Sequence, residues 1–255
     1  MTTGNEKVAL VTGAAKRIGR SIALALAQRG WDVAVHYGRS EREALEVVGD
    51  IERLGRRAVA IQCELGDERA VRALLPAAAQ ALGRVSCVVN NASLFERDAA
   101  ADFSLACLDL HMHANLAAPI LLAQALYDAT PTGSQSVVIN LLDQKLYNLN
   151  PDYLSYTLSK AGLQTATVML AQTLAPKVRV VGVAPGITLV SGDQTEDGFA
   201  KAHAMTPLGR SSTPEDIAAT VCFVAESPAI TGTTLLVDGG QHLIPLQRDV
   251  MFVAK

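Results

Sequence analysis

Short apolar runs alternate with longer amphipathic stretches along the whole chain. Strands buried on both faces of a parallel sheet are apolar throughout, whereas helices packed on a sheet keep one apolar face. The alternation therefore predicts repeated strand–helix–strand units and an α/β fold, with one doubly wound sheet of seven mainly parallel strands and helices on both faces. The predicted strands are 8–11, 33–37, 58–63, 85–89, 137–142, 178–183 and 234–237.

Several helix ends carry residues that suit capping. Ser40 followed by Glu43, and Thr213 followed by Asp216, have the spacing in which two side chains bond reciprocally to the first backbone N–H groups of a helix. We therefore predict that helices begin directly after Ser40 and Thr213. Other helices are predicted to end near glycines, which readily adopt the left-handed conformation: Gly30, Gly55 and Gly83.

The stretch 185–212 has no clear periodicity, and a long irregular segment inside a compact domain is usually functional. We interpret about 187–212 as a lid that closes over a ligand. The 255 residues, 49% of them hydrophobic, suffice for one large core, so a single domain, 1–255, is expected.

The net charge and the cysteines indicate which partners and which cellular compartment the protein has. The net charge is only −3 and the basic residues are scattered, which argues against nucleic-acid binding. The four cysteines form no CxxC pair, as is typical of thiols in a reducing compartment. No basic leader and no apolar run of about 18 residues is evident. We expect a cytoplasmic protein that binds small molecules and no membrane.

The turn after the first strand, 12–19, reads TGAAKRIG and leads into a helix. Gly13 and Gly19 stand where a backbone must approach a pyrophosphate at a helix N-terminus. We expect a dinucleotide there. The alternative is that small residues only let the helix pack closely on the strand.

The end of the second strand, HYGRS, carries no acid to bind the ribose 2′-hydroxyl of NAD. Arg39 and the Ser40 hydroxyl can instead bind the 2′-phosphate of NADPH, and Lys16 adds a second cation. The sequence therefore favours NADPH/NADP as cofactor. Alternatively, Arg39 is an ordinary surface residue and Ser40 only caps the next helix.

Tyr156 and Lys160 lie four residues apart after the fifth strand, so one helix face presents both. A phenol is a poor acid near neutrality, and a nearby ammonium lowers its pKa. We predict that Lys160 adjusts Tyr156 for proton transfer.

With these motifs in this order, the chain resembles the short-chain dehydrogenase/reductase family over essentially its whole length. The matching positions are the turn 12–19, Asn90-Asn91-Ala92, Asn115, Tyr156 with Lys160, Pro185-Gly186, and Asp238-Gly239-Gly240.

The resemblance implies a Rossmann-type sheet, proton delivery by Tyr156, a water relay supported by Asn115, and a second role for Lys160 in holding the nicotinamide ribose. The expected catalytic residues are Tyr156, Lys160, Asp143 and Asn115. The residues expected at the cofactor are Gly13, Lys16, Arg17, Ile18, Gly19, Tyr37, Arg39, Ser40, Glu64, Leu65, Asn91, Ala92, Ser93, Tyr156, Lys160, Pro185, Gly186 and Thr188. No metal site is predicted.

The chain departs from most of that family in three places. Asp143 stands thirteen residues before Tyr156, where a serine is usual, Arg17 replaces a glycine, and Ser93 replaces another. A carboxylate would repel a developing alkoxide, but an acid coupled to Tyr156 suits protonation of a ring nitrogen.

These departures, with TGAAKRIGRSIA, HYGRS and NNASLF, resemble pteridine reductases. That resemblance implies reduction of a C=N bond in a pterin or folate-type substrate. Phe95 would stack on the pterin, while Ser93, Asp143 and Tyr156 would bond to it and Arg17 would bridge it to cofactor phosphate.

Two other functions stay open at this point: an NADPH-dependent carbonyl reductase of unknown substrate, and a nonenzymatic NADPH-binding sensor. By resemblance to the family, a homotetramer is expected through the helices 103–130 and 153–174. The tail, 244–255, is a candidate to close the pocket of a neighbouring subunit.

Overall fold

One parallel sheet forms the centre of the protein, in a computed structural model that describes residues 7–190 and 195–253. Its strands are β1 (Val8–Val11), β2 (Asp32–Tyr37), β3 (Ala58–Gln62), β4 (Cys87–Asn90), β5 (Ser136–Leu141), β6 (Val178–Pro185) and β7 (Thr234–Val237). They lie in the order β3-β2-β1-β4-β5-β6-β7, and each neighbouring pair is parallel. The predicted fold class is confirmed.

Helices cover both faces of the sheet. They are α1 (Arg17–Gln28), α2 (Glu41–Arg53), α3 (Glu68–Leu82), α4 (Leu105–Met112), α5 (Ala118–Ala129), α6 (Leu154–Leu174), α7 (Glu196–Ala204), α8 (Pro214–Glu226) and α9 (Val250–Val253). The core under α1, α2 and α8 contains Ile22, Val47 and Val221, and the core under α3 and α5 contains Leu74 and Leu122. Strand order reverses between β1 and β4, which opens a crevice at their carboxyl ends.

The cap predictions have different outcomes. Thr213 and Asp216 form the reciprocal capping box at the start of α8, as predicted. The capping box predicted at Ser40 is wrong, because the Ser40 side chain makes no cap bond and Glu43 pairs with Lys16 instead. The three glycines predicted at helix ends do follow α1, α2 and α3, and each has a positive φ angle: Gly30, Gly55 and Gly83.

The lid stretch contains a helix that the sequence did not predict. Thr195 caps α7 by accepting a bond from the Gly198 N–H at 3.1 Å. His203, on the same helix, bonds to the Ser212 carbonyl at 3.2 Å and so ties α7 to the far end of the stretch. Residues 191–194 of the predicted lid lie outside the described residues.

Candidate functional site

The turn between β1 and α1 is built around two glycines. Gly13 has a φ of +63°, which favours glycine. A Cβ at Gly19 would lie 2.2 Å from the Gly13 carbonyl oxygen, so only glycine lets the turn close. The first backbone N–H groups of α1 start at this turn, as they would in a pyrophosphate cradle.

Beneath the turn lies His36, whose role the sequence did not predict. Its Nδ1 accepts a bond from the Gly13 N–H at 2.9 Å, and its Nε2 then donates to the Cys63 carbonyl at 3.0 Å. Burial lowers the pKa of His36, which is only 2% exposed. A neutral imidazole with a fixed tautomer therefore joins the turn to the end of β3.

Asn91, at the end of β4, holds the other side of the turn. Its side-chain amide donates to the carbonyl oxygens of Thr12 at 2.8 Å and Gly13 at 3.2 Å. The Thr12 hydroxyl in return accepts from the backbone N–H groups of Asn91 and Ala92, each at 3.0 Å. These bonds fix the crevice between β1 and β4.

At the end of β2, Arg39 is exposed and Ser40 is half-buried, and Tyr37 precedes them on the same edge. Lys16 lies 3.0 Å from Glu43 in an ion pair. Arg39 and Ser40 thus occupy the sheet edge where the ribose phosphate is expected. Glu64 and Leu65 follow β3 on that edge, with Glu64 exposed and Leu65 half-buried.

The predicted catalytic pair, Tyr156 and Lys160, lies on α6. The Tyr156 hydroxyl donates to Asp143 Oδ2 at 2.7 Å, and Lys160 Nζ donates to the Leu141 carbonyl at 2.7 Å. Asp143 Oδ1 accepts from the Lys145 N–H at 2.8 Å and so caps a short 3₁₀ helix, Gln144–Tyr147. Tyr156 and Lys160 are both buried, and the three predicted side chains therefore converge.

Asn115 lies in a π-helical turn, His113–Ala117, between α4 and α5. Its amide accepts from the Leu94 N–H at 2.7 Å and donates to the Leu94 carbonyl at 2.9 Å. It also donates to the Ser159 hydroxyl at 3.0 Å, on α6. Asn115 therefore joins the loop after β4 to the helix of Tyr156.

A cavity of about 240 Å³ opens above these groups. The predicted residues that line it are Arg17, Ile18, Asn91, Ser93, Phe95, Asp143, Tyr156, Lys160, Pro185, Gly186 and Thr188. Lining residues that the sequence did not single out include Lys145, Gln241, Asp249 and Val250. Tail residues thus lie at their own chain's pocket. Other predicted residues do not line this cavity: Gly13, Lys16, Gly19, Tyr37, Arg39, Ser40, Glu64, Leu65, Ala92 and Asn115.

The family described as enoyl-(acyl carrier protein) reductase matches residues 13–242. A 3-oxoacyl-[acyl-carrier-protein] reductase from a Synechocystis species is 34% identical over 94% of the chain and 98% of the relative. The chain belongs to the short-chain dehydrogenase/reductase family. This oxidoreductase family accounts for the fold and for the order of the motifs.

Two solved structures resemble this short-chain dehydrogenase/reductase closely. FolM alternative dihydrofolate reductase 1 from Brucella canis, complexed with NADP, is 38% identical with a TM-score of 0.90, and the match covers 95% of this chain and 96% of that one. A short-chain dehydrogenase from Burkholderia cenocepacia, in complex with NADP, is 34% identical with a TM-score of 0.86, covering 92% and 98%.

The ionisation of the site differs from the sequence prediction. Burial raises the pKa of Tyr156 well above its usual value, and the nearby Asp143 charge raises it further. This net shift is opposite in direction to the lowering expected from Lys160. Burial also raises the pKa of Asp143 and lowers that of Lys160 to about 8. This short-chain dehydrogenase/reductase thus holds a neutral phenol bonded to a buried carboxyl group whose pKa is raised.

The substrate side of this short-chain dehydrogenase/reductase is aromatic and polar. The Phe95 ring is 38% exposed, stacks on Tyr153 with centroids 4.3 Å apart, and meets the Tyr156 ring edge-on at 4.7 Å. The Ser93 hydroxyl lies 3.4 Å from Asn115 Oδ1, and the Arg17 guanidinium donates to the Val190 carbonyl at 3.0 Å.

Proposed function

We propose that this oxidoreductase uses NADPH to reduce a C=N bond of a dihydropterin or dihydrofolate-type substrate. The observation that carries the proposal is the 2.7 Å hydrogen bond from the Tyr156 hydroxyl to Asp143, at the wall of the cavity. Most members of the family carry a serine at that position, and its hydroxyl suits a ketone substrate. A carboxyl group there favours a substrate with a basic ring nitrogen.

The residues of the crevice fit NADPH. The Gly13–Gly19 turn closes only with glycine at position 19, because a Cβ there would lie 2.2 Å from the Gly13 carbonyl oxygen, and the closed turn leads into the N-terminus of α1, where a pyrophosphate would bind. Arg39 and Ser40 would hold the 2′-phosphate, and Lys160 the nicotinamide ribose. When bound, NADPH supplies the hydride for the carbon of the C=N bond.

The chain's own residues supply the proton and the orientation. Asp143 has a raised pKa, so it takes a proton from solvent and exchanges it with the bonded Tyr156 hydroxyl. That pair delivers one proton to the nitrogen as the carbon gains hydride, so the C=N bond becomes a CH–NH bond. Phe95 would stack on the bicyclic ring, with Ser93 bonding to its edge and Arg17 bridging it to cofactor phosphate. Asn115 keeps the loop of Ser93 and Phe95 in register with α6.

The comparisons support a reductase more firmly than they support one substrate. The Brucella canis FolM structure, named as an alternative dihydrofolate reductase, favours the pterin or folate class. The Synechocystis relative, named as a 3-oxoacyl-[acyl-carrier-protein] reductase, favours the second candidate, a carbonyl reductase. The two candidates share the cofactor site and differ in what Asp143 must do.

A substrate panel separates the two candidates. NADPH oxidation is measured with dihydropterins, dihydrofolate and simple ketones for the native enzyme and for Asp143→Ser. We expect native turnover on the heterocycles and a selective fall of about a hundredfold in Asp143→Ser. Activity confined to ketones in the native enzyme would refute the proposed substrate class.

We also propose a homotetramer in the cytoplasm. By length and by the mean hydropathy of its most apolar window, 1.3, the helical span Leu105–Ala129 could cross a membrane; 28% of that window is buried, and the span contains Asp109. An interface between subunits explains this surface without a membrane. Exposed apolar side chains on α4 and α6 are Leu105, Leu110, Leu158, Val168 and Met169. Light scattering of the purified protein tests the assembly, and a monomer would refute it.

A further inference from the structure

The described part of the tail, 244–253, is anchored to the segment that leads into α6. The Asn148 side chain bonds to the backbone of Ile244 and, at 3.3 Å, of Leu246. The Arg248 guanidinium makes two bonds of 2.8 Å to the Asp152 carboxylate, one to each oxygen. Bidentate arginine–carboxylate pairs fix orientation as well as distance, so this stretch of tail has a defined position.

Two buried residues, Lys145 and Asp152, also bond to the tail. Lys145 is 3% exposed, and its ammonium donates to the Asp152 carbonyl at 2.6 Å. The same ammonium lies 3.3 Å from Asp249 Oδ2. The Asp249 N–H donates to the Asp152 carboxylate at 2.8 Å. Asp249 is therefore held through both its backbone and its side chain.

Three aromatic rings also connect the tail to the cavity. Phe252 lies over Tyr153 with centroids 6.4 Å apart, and Tyr153 lies over Phe95 at 4.3 Å. The guanidinium groups of Arg97 and Arg248 lie 5.0 Å from the Phe252 ring. Cations over aromatic faces stabilise such an arrangement. The tail is thereby connected to the residue proposed to stack on substrate.

Asp249 consequently lines the same cavity as Asp143, Phe95 and Tyr156. Its negative charge is close enough to raise the pKa of both Asp143 and Tyr156. A carboxylate only accepts hydrogen bonds when ionised, and its two oxygens offer about four lone-pair sites. A second carboxylate in a pocket for a flat heterocycle suits a substrate edge that donates N–H bonds.

We propose that Asp249 is a specificity-determining residue that accepts hydrogen bonds from an amidine-like N–H edge of the substrate. The inference rests on the proposed function and adds which edge of the ring is recognised. In a pterin, the 2-amino group and the neighbouring ring nitrogen form such an edge. Ketones and acyl thioesters have no counterpart to it.

The test compares two substrates in three enzymes. The substrates are a 7,8-dihydropterin and its counterpart in which hydrogen replaces the 2-amino group. The enzymes are native protein, Asp249→Asn and the control Asp128→Asn, which removes an exposed carboxylate at the far end of α5. Steady-state kinetics with NADPH give kcat and KM for each pair. Thermal unfolding and the KM for NADPH verify that each variant is folded and loaded.

We expect the native enzyme to prefer the amino substrate by about tenfold in kcat/KM, because a hydrogen bond to a charged group is lost in the counterpart. Asp249→Asn should lose that preference through KM, and Asp128→Asn should keep it. An equal fall on both substrates in Asp249→Asn would overturn the inference and leave Asp249 as an anchor of the tail. Absence of native turnover on either pterin would instead refute the proposed function, and the inference with it.

Discussion

The Tyr156 hydroxyl donates to Asp143 Oδ2 at 2.7 Å, and the other oxygen of Asp143 accepts from the Lys145 backbone at 2.8 Å. The carboxyl group is thus aimed at the phenol by the 3₁₀ helix that it caps. Burial raises the pKa of both side chains, and the nearby Asp143 charge raises that of Tyr156 further. Such a pair is organised to give up one proton at a time to a substrate.

Substitution of Tyr156 by phenylalanine removes the group that delivers the proton. We expect kcat to fall by about 10² to 10⁴, the range that general acid catalysis contributes. The KM for NADPH should change little, because the phenyl ring keeps its edge contact with Phe95. Stopped-flow or steady-state NADPH oxidation measures the change, and a variant with more than a tenth of native kcat would contradict the assignment.

The pH dependence should follow Lys160, whose pKa burial lowers from 10.5 to about 8. As pH rises through about 8, its ammonium is lost and kcat/KM should fall. Between about 8 and 10.5 the unfolded chain binds the proton that the folded chain has released, so the free energy of unfolding contributed by this group rises with pH. The loss of activity is therefore not unfolding. Circular dichroism at each pH checks this, and a flat kcat/KM up to pH of roughly 9.5 would argue against it.

Arg39 should decide between NADPH and NADH. Replacement of Arg39 by aspartate puts a negative charge where the 2′-phosphate is expected, and we predict a fall of about a hundredfold in kcat/KM for NADPH relative to NADH. Arg42→Asp is the matched control, since Arg42 is an exposed arginine on the neighbouring α2 that pairs with Glu43. If both variants changed the ratio equally, general electrostatics rather than a specific site would be responsible.

His36 should stabilise the protein in its neutral form. Because burial lowers its pKa below 6.5, the unfolded chain binds the proton first as pH falls, and stability is lost below about 6.5. His36→Leu leaves the Gly13 N–H and the Cys63 carbonyl without this partner, at a cost of about 2 kcal/mol near pH 7.5. Urea unfolding should show that cost shrinking at lower pH. His113→Leu, at an exposed position, should show neither effect.

Most of the fold could be predicted because apolar runs record burial directly. The apolar run 8–11 matches β1. A helix follows β5, as predicted, and this alone places Tyr156 and Lys160 one turn apart on the same helix face. The capping box at Thr213 could be predicted for a different reason: Thr213 and Asp216, which form it, are three residues apart in the sequence. Where the determining contacts are local or follow a simple period, sequence reasoning succeeds.

Contacts between distant segments were not predictable. Ser40 and Glu43 had the spacing of a cap, but the ammonium of Lys16 from another turn takes Glu43. The pKa of Tyr156 depends on burial and on Asp143, neither of which the four-residue spacing to Lys160 reveals. Asp249 lies at the cavity because Asp152 and Lys145, about a hundred residues earlier in the chain, bond to Arg248 and to Asp249 itself. No periodicity along the chain signals such pairs.

Asn115 makes two hydrogen bonds to the backbone of Leu94 and one to the Ser159 hydroxyl, so the loop of Ser93 and Phe95 is coupled to α6. A side chain introduced next to Ser93 or Phe95 cannot shift that loop without also displacing the phenol. Changes in this loop should therefore alter turnover together with affinity. Substitutions on α7, whose described residues make no hydrogen bond to Asn115, Leu94 or Ser159, should change substrate preference at lower cost to turnover.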